Sequence, residues 1–363
     1  MRYFSLLILL CAYFHGSGQE VRKTKVLIDT VSFKGPTGIS FNGVFSRPKG
    51  SKAFSTVIIV SGTGKQDLNG TMAGHKIFLE LANYLNSRGI AVLRTDDRGT
   101  GKTTGVYETS TTADFADDVI SAVNYLKTRK DLDHSKVGLI GHSEGGAVSA
   151  IAAGKSDDIH FLVSMAGLAM SGYEALIQQN RDLVDASPMD QRDKKRSNEI
   201  NELMFKVAHT YANSDSMAVM LNQTYQNWKI QDDAYMKTIN IKYDHFRFPI
   251  NSYIRTATGP WYRYFIQYDA EKTISALHIP ILAINGDKDL MVAADANLEN
   301  WKNYASAGGN SMVTVKKLTN INHLFLPCQT CTSAETPKIK DGVSPIALEL
   351  VSNWILDVNK KRK

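Results

Sequence analysis

Residues Val137–Gly146 read Val-Gly-Leu-Ile-Gly-His-Ser-Glu-Gly-Gly, and they leave the chain little choice of local structure. Val137 to Ile140 form a short apolar run of the kind buried in a sheet. Ala147 to Ala153 is rich in alanine and predicts a helix. Between them, Gly141-His142-Ser143-Glu144-Gly145 must turn the chain within a few residues. A serine at the tip of so sharp a strand-to-helix turn sits on strained backbone. Side chains two residues before or after it would strike the strand or the helix, and glycine at both places removes the obstacle. Such a turn presents Ser143 as a candidate nucleophile. It also aims the N–H of Glu144, at the start of the helix, toward the point where an oxyanion would form. The chain holds no second Gly-x-Ser-x-Gly.

The surrounding sequence repeats the same alternation. Residues 25–47 predict a hairpin or short meander turning at Gly35-Pro36-Thr37-Gly38. Thr56–Ser61 is a continuous apolar strand, followed by a helix with Phe78, Leu81, Ala82 and Leu85 on one face. Ile90–Thr95 is the next strand and Ala113–Leu126 the next helix. Lys136–Ile140 and Ile159–Met165 are further strands. Strands alternating with helices predict an α/β fold: a mainly parallel sheet covered on both faces. From Leu168 to about Tyr268 strand-like runs disappear. Ile200, Leu203, Met204, Val207, Ala208 and Tyr211 make one helical stripe there, and Leu176, Ile177, Leu183 and Val184 another. Ile279–Asn285 and Met312–Leu318 resume the strands. A last helix starts at Ser344-Pro345 and buries Ala347, Leu350, Val351, Trp354, Ile355 and Val358. The expected organisation is a core of residues 19–167 and 269–363 carrying a helical insertion at 168–268.

Residues 1–18 carry an address. Arg2, an apolar run from Tyr3 to Phe14 and the small exit Gly16-Ser17-Gly18 predict a secretory signal peptide, hence an exported protein. Bulky Leu10 argues against a lipid anchor at Cys11. No other stretch is long and apolar enough for a membrane helix, so no stable membrane insertion is expected after cleavage. The two remaining cysteines, Cys328 and Cys331, are too few for zinc and suit a short-loop disulfide, with free thiols as the alternative. A net charge of +6 with scattered basic residues, and no recognition motif, predicts no nucleic-acid partner. Gly99-Thr100-Gly101-Lys102-Thr103 imitates a phosphate loop, but the glycine required five positions before Gly101 is Asp96.

A serine hydroxyl needs a base, and the base an orienting acid. In parallel sheets such groups gather just past the carboxyl ends of strands. Asp287 and Asp289 follow one such strand and His323 the last. Asp287, beside Gly286, has the character of a turn-former, which favours Asp289 as the acid. His323 is the histidine that follows the last strand, in the order Ser, Asp, His. The second oxyanion donor is expected after the first long core strand, at the N–H of Thr63, with Gly62 and Gly64 as alternatives.

Six stretches together carry a resemblance: SGTGKQD (61–67), RGIAVLRTDDRGTGKTTG (88–105), GLIGHSEGG (138–146), GPWYRYF (259–265), AINGDKDLMV (283–292) and NHLF (322–325). The chain resembles the α/β hydrolases, specifically exported bacterial esterases and prolyl-oligopeptidase-like hydrolases. The resemblance implies an eight-stranded, mostly parallel sheet with a helical cap between strands six and seven. It also implies a triad of Ser143 as nucleophile, Asp289 as acid and His323 as base. It places Trp261 near the pocket, whereas the residues alone allow a core-packing aromatic equally well. Only a short hairpin precedes the core, where the peptidases carry a large β-propeller. The expected activity is cofactor-free and metal-free hydrolysis of a small-molecule carboxylic ester through an acyl-enzyme. An amidase or peptidase with the same triad, and a non-catalytic binding protein on the same scaffold, are the alternatives.

Overall fold

Successive residues of a strand point to opposite faces of its sheet, and here both sets are buried. Ile58, Val60, Leu93, Leu139, Leu162, Ile281 and Ala283 pack on one side. Val57, Ile59, Val92, Ile140, Val163, Leu282 and Ile284 pack on the other. The computed structural model describes residues 25–50, 54–239, 241 and 243–360. The expected signal peptide and Cys11 lie outside the described residues.

The strands of the main sheet are β1 (Val26–Lys34), β2 (Ser40–Pro48), β3 (Thr56–Val60), β4 (Ala91–Thr95), β5 (Val137–His142), β6 (Leu162–Met165), β7 (Ile281–Gly286) and β8 (Val313–Leu318). They form one eight-stranded sheet in the order β1-β2-β4-β3-β5-β6-β7-β8. The hairpin β1–β2 joins β4 antiparallel, and every pairing from β4 to β8 is parallel. The predicted α/β sheet is therefore present, with its antiparallel part confined to one edge.

Helices α1 (Ile77–Ser87) and α11 (Pro345–Lys360) cover one face; α2 (Thr112–Thr128), α3 (Glu144–Lys155), α9 (Ala270–Ser275) and α10 (Ala294–Ala307) cover the other. A capping box at Thr111 and Asp114 starts α2. The glycine-rich loop after β4 serves packing: the Thr103 hydroxyl accepts the Asn42 N–H at 3.0 Å, tying it to β2.

Between β6 and β7 the described residues hold no strand. Helices α4 (Gly172–Asp185), α5 (Gln191–Thr210), α6 (Met217–Lys237), α7 (Ile250–Ala257) and α8 (Pro260–Ile266) fill that stretch. They share a separate core around Ile200, Met204, Leu221, Trp228 and Tyr262. Leu203, expected in the α5 stripe, instead stands at the surface. No described helix is long and apolar enough to cross a membrane.

Candidate active site

The turn after β5 has the predicted strain. Ser143 adopts φ 59° and ψ −126°, a conformation rarely held by a residue with a side chain. Its N–H donates to the Met165 carbonyl on β6 at 3.1 Å, and its carbonyl accepts the Gly146 N–H at 2.9 Å. The flanking glycines are sterically required. A methyl at Gly141 would collide with the Gly145 backbone, and one at Gly145 with the carbonyls of Val60 and Ser61. Gly62 in the neighbouring loop is equally constrained, because its Cβ would lie 2.8 Å from Ser143 Cβ.

Asp289 and His323 meet. The carboxylate Oδ2 of Asp289 stands 2.8 Å from His323 Nδ1, and its Oδ1 accepts the N–H groups of Met291 and Val292 at 2.8 and 2.9 Å. Both oxygens of that buried carboxylate are thereby engaged, so it can orient an imidazole. Asp287 does a different job: its Oδ1 accepts the Asn320 N–H at 2.7 Å, holding the start of the loop that carries His323. Within that loop the Asn322 side chain accepts the N–H groups of Leu324 and Leu326.

His142, which the sequence suggests only as a bystander in the turn, supports the same loop from below. Its Nε2 donates to the His323 carbonyl at 2.9 Å, and the two rings lie 4.8 Å apart. Complete burial drives its pKa down to about 3, with the neighbouring His323 adding to the effect, so the ring is neutral.

Ser143 and His323 open onto a single pocket of about 270 Å³. Met72, Leu168, Leu176, Trp261, Phe265 and Val292 give it apolar walls, and Thr63 and Glu144 belong to its lining. Helix α3 begins at Glu144, so the Glu144 N–H is one of the donors a helix leaves without an internal partner. Of the three residues considered for the second donor, Gly64 is engaged elsewhere: its N–H donates to the Tyr107 hydroxyl at 2.7 Å. Thr63 turns its hydroxyl to Glu144 Oε2 at 2.7 Å. Trp261 lines the pocket and also packs in the core, stacking on Phe265 at 4.9 Å and donating Nε1–H to Glu144 Oε1 at 2.8 Å. The two roles open for it in the sequence coincide in one side chain.

Cys328 and Cys331 form a disulfide beyond the His323 loop. On the far side of the Thr63 loop, the Asp97 carboxylate accepts the Ser61 hydroxyl at 2.5 Å and the Gln66 N–H at 2.8 Å. Burial pushes its pKa up to about 7, against those two donors. Nothing in the spacing of His142, Asp97 or the Glu144 side chain predicts these contacts, since each joins segments far apart in the chain.

A parallel sheet of this order, with a serine elbow after β5 and an Asp–His pair past β7 and β8, defines a hydrolase scaffold rather than one enzyme. The family model described as alpha/beta hydrolase fold matches residues 56–325, and the chain belongs to that family. Among particular proteins, it is 34% identical over 132 residues to esterase EstD of Thermotoga maritima. That match spans 36% of this chain and 31% of EstD, so it covers about a third of either protein. Est1E from Butyrivibrio proteoclasticus, solved with ferulic acid bound, superposes with a TM-score of 0.52 at 18% identity, over 90% of this chain and 98% of Est1E. The hypothetical protein PA2218 from Pseudomonas aeruginosa gives 0.54 at 15% identity, over 97% and 99% of the two chains. At those identities the superpositions speak for the fold alone.

Proposed function

We propose that this protein is a serine hydrolase that cleaves carboxylic esters of small molecules through an acyl-enzyme. The observation that carries the reading is the arrangement at one pocket: Ser143 on a strained turn, and His323 held by a buried Asp289. In this reading His323 takes the Ser143 proton as the oxygen attacks the acyl carbon, and Asp289 stabilises the imidazolium that results. The N–H groups of Glu144 and Thr63 receive the oxyanion. His323 then protonates the departing alcohol, and water repeats the sequence to release the acid. The helices between β6 and β7 act as a cap, supplying Leu176, Trp261 and Phe265 to the substrate pocket. The predicted signal peptide supports export, and the Cys328–Cys331 disulfide suits an oxidising compartment.

Hydrolysis of p-nitrophenyl esters from acetate to decanoate tests the reading, with wild type beside Ser143→Ala and His323→Ala. Wild type is expected to turn over, and each variant to lose roughly 10³-fold or more in kcat. Variants as active as wild type sink the triad. A wild type inert to every ester but active on aminoacyl amides moves the assignment to an amidase.

A further inference from the structure

One carboxyl group in the pocket wall has no part in the chemistry just described. The Glu144 side chain is buried, with the residue 3% exposed, and it collects three donors from three separate elements. Thr63, in the loop after β3, gives its hydroxyl to Oε2 at 2.7 Å. Thr112, at the start of α2, gives its hydroxyl to Oε1 at 2.7 Å. Trp261, on α8, gives its indole N–H to the same Oε1 at 2.8 Å. Burial pushes the Glu144 pKa up, and the three hydrogen bonds oppose that shift. A carboxyl group in such a place is costly unless fully partnered, and here its partners are the parts that must hold still. The loop Ser61–Gln66 is anchored from behind by Asp97 at Ser61 and Gln66, and by Tyr107 at Gly64. Thr63 lies between those anchors on the pocket side, where its hydroxyl meets Glu144.

We infer that the Glu144 side chain is the positioning residue of the oxyanion hole, fixing the Thr63 loop and the Trp261 wall to the nucleophile turn. The inference rests on the serine-hydrolase reading above. One residue then supplies an oxyanion donor through its backbone and sets the other donor through its side chain. Oxyanion donors act only when held at hydrogen-bond distance from the developing charge, and a misplacement of about 1 Å costs roughly 10²-fold in rate. The chemistry of the three partners says which substitution preserves the clamp. A glutamine carbonyl can accept from Trp261 and Thr112, and its amide can donate to the Thr63 hydroxyl, which serves as donor or acceptor. Alanine leaves the indole N–H and both hydroxyls without their partner and frees the pocket side of the loop at Thr63, while the anchors behind it stay.

The test compares wild type with Glu144→Ala, Glu144→Gln and Thr63→Val as purified full chains. It reads kcat and KM on a p-nitrophenyl ester, the rate of fluorophosphonate labelling at Ser143, and Tm. Glu144→Ala is expected to lose roughly 10- to 100-fold in kcat with KM changed less than about threefold, and to slow labelling in parallel. Glu144→Gln is expected to recover most of that loss. Thr63→Val, which keeps shape and backbone, is expected to lose roughly tenfold in kcat with Tm near wild type. A purely structural Glu144 would lower Tm without this split between kcat and KM. Folded Glu144→Ala or Thr63→Val with kcat within about twofold of wild type overturns the inference, as does Glu144→Gln no better than alanine. Should Glu144→Ala fail to fold, Thr63→Val decides by itself. A wild type that neither turns over esters nor labels at Ser143 overturns the hydrolase reading, and this role with it.

Discussion

His142 shows how a residue beside Ser143 can act through the backbone of a neighbouring loop. Its ring is fully buried and neutral, and it donates Nε2–H to the backbone of His323. Unfolded, the same imidazole titrates near its ordinary value of 6.5. Below that pH the unfolded chain takes up a proton that the folded chain refuses until about pH 3. His142 therefore contributes stability that is complete above about 6.5 and is lost as pH falls toward 3. Glutamine places an amide N–H near the imidazole Nε2 and does not titrate. We expect Tm of wild type to drop more between pH 7 and pH 4.5 than Tm of His142→Gln; parallel curves would mean that His142 is protonated in the fold. At this scale the sequence is a good guide to what is local and a poor one to what is not. Ser143, the flanking glycines, Asp289 and His323 lie on turns whose shape is written in neighbouring residues. The Glu144 side chain, Asp97 and His142 act through partners 31 to 181 positions away, and no spacing encodes those.

Among the elements, the segment after β8 shows why a disulfide need not dominate a loop. Around His323 the chain pairs Ile321 with Pro327 and bonds the Cys328 N–H to the Asn320 carbonyl at 3.0 Å. The Glu335 carboxylate then accepts the N–H groups of Gln329, Thr330 and Cys331. The Thr330 hydroxyl, which also donates to that carboxylate, and those N–H groups hold its pKa well below the usual range, at about 2. The Cys328–Cys331 bond closes a ring too short to restrict the unfolded chain strongly, a contribution of about 2 kcal/mol in the chain-entropy picture. The paired Cys328→Ser and Cys331→Ser variant should therefore lose a few degrees in Tm and keep kcat within about twofold, as thermal melts and ester kinetics would show. Loss of activity at unchanged Tm would instead make the disulfide a determinant of the His323 position. The elements themselves were mostly legible. Continuous apolar runs gave the buried parallel strands, an apolar stripe over Ala113–Leu126 gave α2, and the Ser-Pro start gave α11. The insertion was legible as helical through its stripes, but Leu203 was misplaced because a stripe does not say which neighbour covers it.

For the molecule as a whole, the question is whether the insertion and the sheet fold as one unit. The insertion has its own core, and Leu176 and Trp261 are among the side chains that pack against both it and the sheet-side core. The insertion's own core is joined by a buried ionic cluster. The Arg196 guanidinium, 4% exposed as a residue, makes two bonds to Asp232 at 2.7 and 2.8 Å and two to Asp244 at 2.9 and 2.8 Å. It also meets Asp193 and lies over the Phe246 ring. That one side chain ties α5 to α6 and to the segment before α7. Replacing it by alanine strands the buried Asp232 carboxylate, a loss of about 3–5 kcal/mol. If the two cores are separable, the loss stays within the insertion. Hydrogen exchange in Arg196→Ala should then quicken across residues 191–248 while β3, β5 and β6 keep their protection. Because the insertion supplies Leu176, Trp261 and Phe265 to the pocket, KM for an ester should rise severalfold while fluorophosphonate still labels Ser143. Exchange that quickens equally in the central strands would show instead that insertion and sheet open together, and Ser143 labelling would then fall with the loss of folded protein.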